Sequence, residues 1–78
     1  MLRYTAVGRM IVDTMTGEIV WEGKTWNSTN SATTGAHMLS TKLALGLITP
    51  ETVYDHVREL DMWDTAMDLV YKIAGWTM

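Results

Sequence analysis

Seventy-eight residues, 47% of them hydrophobic, with a formal charge of −3 and no cysteine, make one small core and leave no room for two. Without cysteine there is neither a disulfide nor a thiolate zinc site, so stability has to come from dense packing or self-association. No stretch approaches the ~20 apolar residues of a membrane span, and the start Met1-Leu2-Arg3-Tyr4-Thr5 lacks the basic flank and apolar run of a secretory signal, so a cytoplasmic protein is expected.

The first segment, Leu2 to Asp13, alternates. Leu2, Tyr4, Ala6, Met10 and Val12 fall on one face, with Arg3, Thr5, Arg9 and Asp13 on the other and Val7 and Ile11 mixed in, and a period of two predicts a strand. Asp13-Thr14-Met15-Thr16-Gly17 supplies a turn, and Glu18 to Trp26 resumes strand chemistry with Ile19, Val20 and Trp21. Together they read as a β-hairpin over residues 2–26, closed by a three- to five-residue loop with a bulge at Gly17. Residues 27–31 are polar and read as a linker that also holds several helix caps.

Helical spacing follows over residues 32–45. Small residues (Ala32, Ala36, Ser40, Ala44) recur there at a spacing that lets another backbone approach, and Gly46 is placed to stop the helix. Thr49-Pro50-Glu51 is a helix start, opening a segment over 50–60 with Val53, Val57 and Leu60 on one stripe. Asp61-Met62-Trp63-Asp64 resembles a further cap, so residues 62–74 read as a third helix or as the second running on. Its apolar positions are Met62, Ala66, Leu69, Val70 and Ile73, with Asp64, Asp68 and Lys72 opposite. The expected fold is α+β, one domain over 1–78. An N-terminal two-stranded antiparallel β-hairpin packs against two or three C-terminal α-helices, in ββααα order, burying one sheet face and the helical stripes together.

Catalysis finds no support in the residues. Serines and threonines fall in turns, caps and the polar segment, and neither His37 nor His56 lies in a nucleophile motif. His56 and Glu59 stand three apart, but one such pair is not a metal site. Thr33-Thr34-Gly35-Ala36 lacks the glycine spacing of a nucleotide loop. The expectation is no enzyme, no cofactor and no metal.

Charge and aromatic content carry the remaining information. Arg3, Arg9 and Lys24 are balanced by Asp13, Glu18 and Glu22, whereas residues 51–68 set Glu51, Asp55, Glu59, Asp61, Asp64 and Asp68 against Arg58 alone. Four tryptophans and seven methionines suit adaptable contact surfaces. These features predict a protein-binding module. Its anchors would be among Trp21, Trp26, Trp63 and Trp76, with an acidic rim of Asp55, Glu59, Asp61, Asp64 and Asp68 facing a basic partner. In general type the chain resembles the small accessory proteins of viruses and mobile elements. The likeness is one of size, Met/Trp richness and missing catalysis. It implies inhibition of a host protein or defence complex in the host cytoplasm by steric occlusion, as anti-CRISPR inhibitors act. Two alternatives stay open: nucleic-acid binding through Arg3, Arg9, Lys24, Trp21 and Trp26 on the hairpin, and a homo-oligomeric structural subunit, a homodimer being its simplest form. The acidic balance disfavours nucleic acid, and no membrane partner is expected.

Overall fold

Gly8 and Arg9 turn the chain back between two strands where the sequence pattern suggested one. Val7 pairs with Met10 across this two-residue connection, with φ +60° at Gly8 and no positive φ at Arg9. A left-handed first position alone is the signature of a type II′ hairpin turn, which glycine adopts without strain. The computed structural model describes residues 2–77, with side chains as far as Ala74. Its strands are β1 (Tyr4–Val7), β2 (Met10–Asp13) and β3 (Ile19–Glu22), in a three-stranded antiparallel sheet ordered β1-β2-β3. The expected two-stranded hairpin is thus a three-stranded meander within the same α+β class.

The extra turn decides which residues face inward. Tyr4 pairs with Asp13 and Ala6 with Ile11, and cross-strand partners share a face. Even positions of β1 therefore join odd positions of β2. Tyr4, Ile11 and Asp13 are buried, while Met10 and Val12 are only half-buried on the other face. An alternation carried straight through Gly8 puts Met10 and Val12 inside. The reversal there changes the parity.

Thr14 to Gly17 close the second hairpin, with Gly17 at φ +77° and the Asp13 N–H donating to the Glu18 carbonyl at 2.8 Å. The bulge lies further on than Gly17. Ile11 pairs with Trp21 but Val12 with Ile19, so Val20 is the extra residue, and Val20 and Trp21 are both turned into the core.

Two helices follow among the described residues: α1 (Ser28–Ala44) and α2 (Val53–Thr77). The segment read as a linker is in fact the first turn of α1, because Ser28 and Ser31 are spent on tertiary hydrogen bonds rather than left to solvent. α1 ends as its glycine implied. Gly46 takes φ +74°, the Gly46 N–H donates to the Leu43 carbonyl (3.1 Å) and the Leu47 N–H to that of Lys42 (2.9 Å), which is a Schellman closure. Thr49-Pro50-Glu51-Thr52 forms one turn, so the second helix begins at Val53 rather than at 50. From there it runs unbroken. Asp61 and Asp64 do not cap a new helix, since their carboxylates are taken by Trp21 and by three hydroxyls.

The core lies between the sheet's inner face and the helices, formed by Tyr4, Ile11, Val20, Trp21, Ala32, Ala36, Leu39, Ile48, Val53, Val57 and Leu60. Ala32, Ala36 and Ser40 lie buried on α1. Small side chains there bring the helix close to the sheet, as their spacing implied. No helix is long and apolar enough, among the described residues, to cross a membrane.

Candidate functional site

Much of the apparent functional chemistry of this chain is consumed inside the fold. Asp64, 3% exposed, accepts hydrogen bonds from Ser31 Oγ (2.6 Å), Ser28 Oγ (2.8 Å) and Thr25 Oγ1 (3.1 Å). Ser28 Oγ also accepts the Thr25 N–H at 2.8 Å. A carboxylate with three donors is a stable buried arrangement. It joins the loop after β3, the start of α1 and the middle of α2. Gly23 permits this approach, since a Cβ there would stand 2.1 Å from Ser28 Cβ.

The remaining acids of the expected rim divide by exposure. Asp68 is buried and pairs with Lys72 at 3.0 Å. Asp61 is exposed, and its Oδ1 accepts the Trp21 Nε1–H at 2.6 Å. Asp55 and Glu59 are exposed. The solvent-facing acids of the set are therefore Asp55, Glu59 and Asp61. Among the tryptophans, Trp21 is buried in the core, Trp63 is 41% exposed, and Trp26 is 59% exposed with its ring edge-on to Tyr71 at 5.5 Å. The side chain of Trp76 lies outside the described residues.

The cations of the hairpin are likewise only partly free. Arg3 grips Asp13 through Nε (3.2 Å to each oxygen) and Nη2 (3.0 Å). That ion pair holds the Asp13 carboxyl below its ordinary range, against the opposing effect of burial. Arg3 is thereby turned to structural use. Of the nucleic-acid constellation, Arg9, Lys24 and Trp26 stay accessible.

Two exposed apolar surfaces lie on the helices. The first is a groove of about 310 Å³ between α1 and α2. Gly35 forms its floor, close enough to Leu60 that a Cβ would meet Leu60 Cδ1 at 2.9 Å. Leu39 and Leu60 line it, Met38 and Trp63 stand half-exposed on it, and Lys42, His56 and Glu59 supply its polar edge. His56 Nδ1 is enclosed without a hydrogen-bond partner. Among the described residues, no hydrogen bond joins either histidine to a hydroxyl, and no group of three or more His, Asp or Glu is placed to hold a metal.

The second surface inverts the expected orientation of α2. Its inward face changes from Val53, Val57 and Leu60 to the buried acids Asp64 and Asp68. Outward lie Met62 (76% exposed), Leu69 (55%) and Ile73 (59%). The apolar stripe of residues 62–73, expected in the core, faces solvent. The reason is local: opposite Asp64 the start of α1 offers hydroxyls, and past Asp68 every described side chain of α2 is exposed. Sequence spacing located this stripe but could not orient it. The groove had no sequence signal, because Met38 and Trp63 meet only through helix packing. No protein-family model, curated protein or solved structure matches this chain.

Proposed function

We propose that this protein is a non-catalytic protein-binding module that seats an apolar side chain of another protein in the α1–α2 groove. The observation that carries the reading is the groove itself. It combines apolar walls, a half-exposed tryptophan and methionine, and opposite charges at its edge from Lys42 and Glu59. Its volume of about 310 Å³ suits one or two large side chains, and a tryptophan beside such a cavity is a characteristic binding anchor. Asp55, Glu59 and Asp61 lie on the exposed surface of the same helix and favour a partner with a basic rim. Such a module acts on its partner by covering its surface. Inhibition of a host protein by steric occlusion, in the manner of a small viral accessory protein, is the mode of action this reading carries.

The test is affinity capture with the tagged protein beside its Trp63→Ala and Met38→Asp variants. The expected result is a partner retained by the parent protein and weakened at least tenfold by either substitution. Equal retention by all three, or no retained protein at all, overturns the reading. Replacing Asp55, Glu59 and Asp61 by their amides should slow association at low salt while leaving dissociation nearly unchanged. Asp64 does not belong in that experiment, because its carboxylate holds the fold together.

A further inference from the structure

The outward stripe of α2 has a geometry that matches itself. Met62, Ala66, Leu69 and Ile73 are spaced four, three and four residues apart, the alternation of a two-stranded coiled-coil seam. All four are exposed, and the buried Asp64 lies about half a turn of the helix away from them. We infer that this stripe is the seam of a homodimer, in which α2 of one chain packs antiparallel against α2 of a second copy.

Orientation follows from symmetry and charge. A two-fold axis between residues 67 and 68 sets Met62 against the partner copy's residue 73 and Ala66 against residue 69, so a small residue faces a large one in the central layers. The same operation carries Lys72, which pairs with Asp68 of its own helix at 3.0 Å and is 56% exposed, towards the end of the other helix where Arg58 and Glu59 lie exposed. A parallel pairing would instead place Asp55 and Glu59 beside their own copies, and like charges oppose it. It would also crowd the two sheet-bearing bodies together. The antiparallel arrangement puts them at opposite ends, which the elongated shape of 42 × 21 × 18 Å allows.

The area sets the strength. The stripe offers four exposed side chains, Met62, Ala66, Leu69 and Ile73, against the roughly 20–30 residues a side of a standard interface. A dissociation constant in the micromolar range is expected, tighter where Val70 at the seam's edge also packs. The inference is independent of the groove: a chain that dimerises without binding another protein removes only the groove reading, and a monomer that still captures a partner removes only this one.

Because the chain has no cysteine, single and double cysteine variants report the geometry directly. Light scattering over a dilution series should show the parent protein moving between 8.8 kDa and twice that mass. Leu69→Asp and Ile73→Glu should each be folded by circular dichroism and monomeric throughout. The Met62→Cys, Ile73→Cys double variant should oxidise to a covalent dimer. Met62→Cys alone should not, because the two copies of that position stand roughly 16 Å apart along the seam. A parent protein monomeric at hundreds of micromolar overturns the inference. So does a dimer that survives Leu69→Asp, or rapid self-crosslinking of Met62→Cys, which marks a parallel pair.

Discussion

Three hydroxyl groups converge on Asp64, and removing the carboxylate leaves them only the Asn27 carbonyl, 3.5 Å from Ser31 Oγ, and the 3.2 Å contact between Thr25 Oγ1 and Ser28 Oγ. Asp64→Ala should therefore lower stability by about 2–3 kcal/mol, read as a fall of about 10 °C or more in thermal midpoint. A shift within a degree or two would show that the hydroxyls are satisfied by other means. Gly23→Ala tests the same junction sterically. Its Cβ would fall 2.1 Å from Ser28 Cβ and 2.8 Å from Trp21 Cη2, so the loop or the helix start has to move, costing roughly 1–3 kcal/mol. Chemical unfolding of this variant should show a lower midpoint, and wild-type stability would mean that the loop can lift without loss.

At the scale of elements, β1 is an edge strand, and edge strands leave backbone groups unpaired. Ser40 on α1 covers this one. Its hydroxyl accepts the Tyr4 N–H at 3.1 Å and donates to the Tyr4 carbonyl at 3.0 Å, both buried. Ser40→Ala leaves a buried donor and acceptor without partners, so a loss of about 1–3 kcal/mol is expected. Amide exchange at Tyr4 should accelerate more than at Ile11. Uniform acceleration across the sheet would deny the local clamp. The reversed amphipathicity of α2 belongs to this scale as well. The first half of the helix is held by apolar burial, whereas the second half contributes a hydroxyl-bound acid inward and its apolar residues outward.

For the whole molecule, two buried groups, Asp13 and Tyr4, contribute to the acid and alkaline limits of stability. Arg3 lowers the folded pKa of Asp13. The unfolded chain therefore takes up a proton first as pH falls, and the stability this pair provides above the ordinary carboxylate range of about 4 is lost below it. Burial raises the phenol of Tyr4, so its contribution is complete below about pH 10 and declines as pH climbs through the raised value. Urea unfolding across pH should give a plateau with both shoulders. Arg3→Met should lower the plateau and soften the acid shoulder, and an unchanged acid shoulder would detach it from this ion pair.

The α+β class, the turn at Gly17, the Schellman glycine at 46 and the stripe of Val53, Val57 and Leu60 were all legible in the sequence, because each depends on neighbours within a few residues. The reversal at Gly8 was equally local, yet the alternation on either side concealed it. Tertiary structure alone decided the rest. Whether Ser28 and Ser31 begin a helix or lie in a linker depends on an acid 36 and 33 residues away. Likewise, a stripe at helical spacing states that a helix has an apolar face, and only the length of the elements packed beside it determines whether that face is covered. Here α1 and the sheet end before α2 does, and the apolar face of Met62, Leu69 and Ile73 is left to the outside.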